Sequence, residues 1–259
     1  MVTFGPRWLP RISDHSPPSN AHRQSRFKRF LDLILASLAF VFALPVALMV
    51  AVAISLDSRG PVLYSQERVG IDRRRRRGSA GQRDERRKRQ GYGRPFTIYK
   101  FRSMVSDAEK KTGPVWAADH DPRATRVGAF LRRSHLDEIP QLLNVLRGDM
   151  SMVGPRPERP QLFGNLVAQI PQYALRCRVL PGITGIAQIK NGYDDSLQSA
   201  ARKVEYDLYY IHNGSTLMDL QIMAATALVL ARGKQHDPAA LAGQVRRIPT
   251  RNGVAGLGA

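Results

Sequence analysis

One stretch of the chain breaks an otherwise alternating pattern of apolar and polar positions. From Phe30 to Leu56 it reads FLDLILASLAFVFALPVALMVAVAISL, with Asp32 as the only charged residue. A helix over this run is long enough to reach across a hydrocarbon core of about 30 Å. It exceeds the h-region of a signal peptide, and no small-residue cleavage site closes it, so the segment is expected to be retained. Pro45 lies near its middle, where a missing N–H and a ring clash would kink a helix into two arms. Further along, PVLYSQERVG (61–70) and RPFTIYKFRSM (94–104) read as strands, and helical periodicity appears around Pro140–Leu146, Pro160–Ile170, Ala200–Tyr210 and Leu217–Ala231. The last helix has an apolar stripe that suits either core packing or a membrane surface. Pro181 to Gly185 reads as a tight turn before a short strand, and Glu205 to Tyr210 as part of an amphipathic helix.

These elements predict an α+β protein: a mostly helical domain with short strands, anchored by a membrane helix. The expected boundaries are a basic, disordered tail over 1–25, the membrane helix over 26–58, one domain over 59–234 with a basic loop at 72–93, and a disordered tail over 235–259. Length favours one domain with extensions, since 259 residues bury a sizeable single core.

Charge narrows the partners. Forty Lys and Arg against 21 Asp and Glu leave a formal charge of +19, which asks for an anionic partner: nucleic acid, anionic lipid or a phosphorylated substrate. Basic residues crowd both flanks of the apolar run: Arg23, Arg26, Lys28 and Arg29 before it, Arg59, Arg68 and Arg73 to Arg77 after it. The positive-inside rule places both ends in the cytoplasm, which a re-entrant helical hairpin satisfies; an ordinary spanning helix with a short basic tail outside is the alternative. The arginine-rich loop reads as a solvated segment, or as one that touches anionic headgroups. Cys177 is the only cysteine, so no intrachain disulfide can form, and no Cys or tight His cluster offers a thiolate metal site.

Chemistry concentrates between Arg132 and Arg159, RRSHLDEIPQLLNVLRGDMSMVGPRPER. Asp137 and Glu138 are adjacent carboxylates, with Ser134 as a candidate N-cap and Pro140 suited to a first helical turn. At a helix N-terminus they would meet free N–H groups that also draw phosphate or a metal–phosphate complex; acidic residues there also serve as plain caps. Gly154-Pro155-Arg156-Pro157 places an arginine in a stiff turn, where its planar fork can grip two phosphate oxygens. In Tyr99-Lys100-Phe101-Arg102 the two cations fall on one face of a strand.

KRFLD, YKFRSM, DPRATRVGAFLRRSHLDEIPQLLNVLRGDMSMVGPRP, RVLPGITGIAQ and VEYDLYYIHN, in this order between Lys28 and Lys234, resemble the bacterial sugar transferases, or monotopic phosphoglycosyl transferases. The resemblance implies transfer of a sugar phosphate from a UDP-sugar to undecaprenyl phosphate with release of UMP, opening the synthesis of an exopolysaccharide, capsule or O-antigen. It implies a re-entrant helix in the bacterial inner membrane, a catalytic domain on the cytoplasmic face, and bound Mg2+. Residue by residue, it makes Asp137 the nucleophile, Glu138 its magnesium-holding partner, and Arg156 and Arg132 phosphate-side residues. Lys100, Arg102 and Arg176 follow as candidate contacts to nucleotide or phosphate. Two positions depart from the family pattern: Cys177 stands where histidine is frequent, and Ile186 where tryptophan is frequent. Nucleic acid is not among the implied partners, although a membrane-anchored nucleic-acid-binding module or a scaffold would share the charge without needing the Asp-Glu pair. Packing of helices at the membrane is compatible with a homodimer.

Overall fold

The computed structural model describes residues 26–72, 92–105, 108, 121–190 and 197–232. Both tails and the arginine-rich loop from 73 to 91 lie outside the described residues. Helix α1 (Arg26–Asp57) is assigned as one 32-residue element that continues through Pro45, and it is long and apolar enough to cross a membrane. Two faces of α1 differ. Phe27, Phe30, Ile34, Leu38, Phe42, Met49, Val52 and Leu56, at spacings of three, four or seven residues, are exposed. Ala36, Val50 and Ile54 on the opposite side are buried.

That inner face packs on the domain along its whole length. Ala36 joins Ile98, Leu142, Val145 and Met150 in one cluster, and Val50 and Ile54 join Phe101 and Leu131 in another. Polar bonds fix both ends. Near the start, Lys28 Nζ donates to Asp219 at 2.7 Å, and the two Nη atoms of Arg29 cap the carbonyls of Val145 and Leu146. At the other end, Arg102 donates to the carbonyls of Ser58 and Arg59, both at 2.6 Å, and Asp57 accepts from the N–H of Val127.

Strands β1 (Leu63–Val69) and β2 (Pro95–Phe101) form an antiparallel pair in which Tyr64 opposes Lys100. Helix α2 (Arg126–Arg133) starts at Thr125, whose side chain caps the N–H of Gly128, and ends at Ser134. A 3₁₀ turn (Leu136–Glu138) and α3 (Gln141–Arg147) follow, and α3 stops at Gly148, which takes the left-handed conformation at φ 87°. Strand β3 (Ser151–Val153) pairs in parallel with β4 (Gly182–Thr184). Between them lie α4 (Pro160–Gln169) and a 3₁₀ segment (Pro171–Arg178); after β4 come α5 (Ile186–Lys190), α6 (Leu197–Asn213) and α7 (Thr216–Arg232). Phe163, Tyr173, Val204 and Leu208 centre one core cluster, and Val153, Ile186, Met218 and Ile222 another.

Three sequence expectations change. Ser134 closes α2 instead of opening a helix, and the Asp-Glu pair sits in its own 3₁₀ turn ahead of α3. The reason is His135, whose left-handed backbone (φ 56°, ψ 14°) separates the two helical segments. Pro181 to Gly185 contains β4 itself, and a helix, not a strand, follows it.

Candidate active site

Short elements converge on the Asp-Glu turn. Asn144 in α3 is fully buried; its Oδ1 accepts the N–H of Tyr99 and its Nδ2 donates to the Thr97 carbonyl at 2.7 Å. The asparagine thereby fastens α3 to the edge of β2 and sets Lys100, the next residue of the strand, against the turn. From the other side comes Gly154-Pro155-Arg156-Pro157, directly after β3. Gly154 is required there by close approach, because a Cβ would collide with the Leu180 carbonyl and the Gly182 nitrogen.

The result is a four-membered charge cluster. Lys100 Nζ lies 2.7 Å from Glu138 Oε1 and 3.8 Å from Asp137 Oδ2. Arg156 grips both oxygens of Glu138, with Nη2 on Oε1 at 2.5 Å and Nη1 on Oε2 at 3.2 Å. The two carboxyl groups are therefore unequal. Burial pushes the Asp137 carboxyl above its ordinary range, and Glu138 adds to this while Lys100 opposes it. Burial acts upward on Glu138 as well, but Arg156 and Lys100 outweigh it and hold that group well below the usual range. Asp137, only 6 % exposed, has Lys100 at 3.8 Å and feels Arg156 more weakly, and among the described residues no guanidinium grips it as Arg156 grips Glu138.

A second layer supports the arginine turn. Arg176 donates from Nη2 to the Arg156 carbonyl at 2.9 Å and from Nε to Asp207 at 2.6 Å, and its guanidinium stacks 4.5 Å from the Tyr173 ring centre. Arg68 donates to the Pro157 carbonyl at 3.1 Å. Glu158 pairs with Lys203 at 2.8 Å; despite burial, Lys203 and the neighbouring arginines lower its carboxyl to about 2. Arg68, Glu158, Lys203 and Asp207 are supporting residues that the motif reading passed over. Lys203 and Asp207 carried a signal, since they stand one turn apart on the buried face of an otherwise amphipathic helix. Cys177 is buried and lines a small hollow beside this turn, with Gly70, Arg156 and Arg176.

Asp137, Glu138, Lys100 and Arg156 thus come together, with Arg176 one bond behind. Arg102 goes elsewhere: it lies one residue past β2, is 7 % exposed, and spends its guanidinium on the carbonyls of Ser58 and Arg59 just past α1, with a longer bond to Ile54 in its last turn. Arg132, in the last turn of α2, faces Asp121 at 3.8 Å; the bidentate grip of Arg123 lowers the Asp121 carboxyl to about 2.

Among the described residues no group of three or more His, Cys, Asp or Glu could hold a metal unaided. Magnesium commonly takes one or two carboxylates and fills its remaining positions with water and substrate phosphate. The Asp137–Glu138 pair fits that partial donor set.

The bacterial sugar transferase family model matches residues 23–233, and the chain belongs to that family. It is 40 % identical over 206 residues to the UDP-N-acetylgalactosamine-undecaprenyl-phosphate N-acetylgalactosaminephosphotransferase of Aeromonas hydrophila, covering 80 % of this chain and 44 % of that protein. It is 39 % identical over 203 residues to the UDP-glucose:undecaprenyl-phosphate glucose-1-phosphate transferase of Klebsiella pneumoniae, covering 77 % and 39 %. To the exopolysaccharide production protein PSS of Rhizobium leguminosarum bv. phaseoli it is 38 % identical over 213 residues, covering 80 % and 96 %. The chain therefore spans less than half the length of the first two relatives and nearly all of the third.

Proposed function

We propose that this protein is a phosphoglycosyl transferase that moves a sugar phosphate from a UDP-sugar to undecaprenyl phosphate, through a covalent intermediate on Asp137. The observation that carries the reading is the inequality of the two carboxyl groups. Glu138 is locked by Arg156 and Lys100, whereas Asp137 has a carboxylate free of any such fork and made more basic by burial. That combination suits a nucleophile beside a fixed electrostatic partner.

In this mechanism an Asp137 oxygen attacks the sugar-bearing phosphorus, the phosphoanhydride bond breaks, and UMP leaves with the bonding electrons. An oxygen of undecaprenyl phosphate then attacks the acyl phosphate, releasing free Asp137 and polyprenyl diphosphate sugar. Lys100 and Arg156 neutralise the diphosphate oxygens that would otherwise repel an anionic nucleophile. Magnesium, held by Glu138 and Asp137 with the substrate phosphates, would add further neutralisation.

The same reading places α1 as a re-entrant element in the inner membrane, with the domain on its cytoplasmic face. It is supported by the bonds at both helix ends. Thirty-two residues at about 1.5 Å each extend about 48 Å, yet Lys28 near one end and Ser58 just past the other bond to the same domain. A helix crossing a core of about 30 Å would part those ends to opposite sides. Its exposed apolar face is the surface offered to lipid.

The decisive experiment mixes purified enzyme and magnesium with UDP-glucose or UDP-N-acetylgalactosamine, without lipid acceptor. The correct donor should release up to one equivalent of UMP and add the mass of one sugar phosphate, and Asp137→Asn should abolish both. Strictly lipid-dependent UMP release, with no adduct on rapidly quenched active enzyme, would assign the attack to the lipid phosphate instead.

A further inference from the structure

Strand β3 has three residues and, among the described residues, a strand neighbour on one edge only, yet it leads straight into the turn that carries Arg156. Part of what holds it comes from α1. Asp32 Oδ1 accepts the N–H of Met152 at 3.1 Å, and Lys28 Nζ reaches the Val153 carbonyl at 3.4 Å while pairing with Asp219 at 2.7 Å. Lys28 and Asp32 stand four residues apart and so share one helix face. Tyr210 completes the cradle, its hydroxyl lying 3.1 Å from the Val153 carbonyl and 2.7 Å from Asp219 Oδ1. All four side chains are at most 6 % exposed, so water does not compete for these bonds.

Asp32 is the one charge inside the apolar run, and a lone carboxylate there is costly unless it has work in the protein interior. Its work is two residues from Gly154. We propose that Lys28 and Asp32 are positioning residues: through the backbone of Met152 and Val153, the seating of the membrane helix fixes where Arg156 stands relative to Glu138. The inference rests on the transferase reading for its effect on turnover, but the mechanical link does not. Displacement of a substrate-positioning group by about 1 Å can cost on the order of a hundredfold in rate, so loosening β3 should be felt at the reacting phosphorus.

The test uses the full chain in phosphatidylethanolamine–phosphatidylglycerol nanodiscs. Asp32→Leu removes the acceptor, Asp32→Asn keeps an oxygen for the Met152 N–H, and Tyr210→Phe deletes one hydroxyl with little change of shape should the leucine variant not fold. Hydrogen exchange is followed in a peptide covering 150–158, with a peptide over β2 as internal reference, and UMP release is measured with the donor that labels Asp137. Asp32→Leu is expected to speed exchange in 150–158 at least tenfold, leave β2 unchanged, and lower kcat at least tenfold. The asparagine variant should recover both to within about threefold, and Tyr210→Phe should shift both in the same direction as leucine by a smaller factor. A merely structural role would lower the amount of folded enzyme, not kcat per folded molecule, and would spare the 150–158 peptide. Faster exchange with kcat unchanged, or unchanged exchange in both Asp32→Leu and Tyr210→Phe, would overturn the proposal. If wild-type protein releases no UMP from any donor while the exchange pattern holds, the transferase reading fails and the link between α1 and the Arg156 turn stands.

Discussion

Replacing Arg102 with methionine separates an architectural cation from a substrate contact. The side chain is 7 % exposed and makes two short charge-assisted bonds, 2.6 Å each, to the carbonyls of Ser58 and Arg59, with a longer one to Ile54. Each short bond contributes about 2 kcal/mol, and the buried Nε, which has no partner among the described residues, offsets about 1 kcal/mol. Methionine fills much of the volume but leaves the carbonyls of Ser58 and Arg59, just past α1, without their charged donor, so the net loss is about 3 kcal/mol. In a domain of about 200 residues that lowers Tm by roughly 6 to 12 °C. Differential scanning fluorimetry of the nanodisc-embedded enzyme, with and without donor, reads the shift, and UMP release reads KM at a temperature where both proteins are folded. The expected outcome is a lower Tm, a donor-induced stabilisation of unchanged size, and KM within about twofold of wild type. An unchanged Tm with KM raised tenfold would return Arg102 to the substrate and refute the assignment.

Arg156→Lys keeps the charge but cannot span both oxygens of Glu138, and should lower UMP release by about a hundredfold with little change in melting; near-normal turnover would show that the fork is not needed. Asp137→Asn should stabilise the protein at neutral pH. The carboxyl is raised by burial, so its ionised form costs the folded state stability above the folded pKa; that cost fades as pH falls from the folded pKa toward the unfolded value of 3.8 and is gone below it. Melts of the variant and wild type should therefore converge toward acid pH, and a constant difference between pH 8 and pH 3 would contradict this. Cysteines at Ser25 and Ser58, in a Cys177→Ser background, should both be labelled from the cytoplasmic side alone. Periplasmic labelling at Ser25 in the parent would rule out the re-entrant arrangement.

The sequence made some of this architecture readable because the relevant signals are local. Apolar run length marks α1, alternation marks β1 and β2, and helical periodicity marks α3, α4, α6 and α7 within a few residues of their observed bounds. Residue type and turn chemistry made the Asp-Glu pair and Arg156 candidates only, since such a pair also reads as a plain cap; the ordered family motifs around them are what single them out. What escaped is non-local. Lys100 and Arg102 look equivalent in a strand, yet one meets Glu138 and the other the end of α1, a difference made by elements more than thirty residues away. The left-handed His135 has no glycine or asparagine to announce it, so Ser134 passed for an N-cap. Glu158, Arg68 and Asp207 acquire their meaning from each other only once α6 has packed behind the turn.

The double character of α1 bears on how the enzyme can be handled. Ala36, Val50 and Ile54 are interior residues of the folded domain in every sense but their place in the chain. Truncating at Ser58 to remove the apolar helix would therefore excavate the domain as well. A soluble version is better sought by repainting the outward positions, such as Phe42, Leu48, Met49 and Val52, with glutamate and lysine while every inward residue and both polar fastenings are kept.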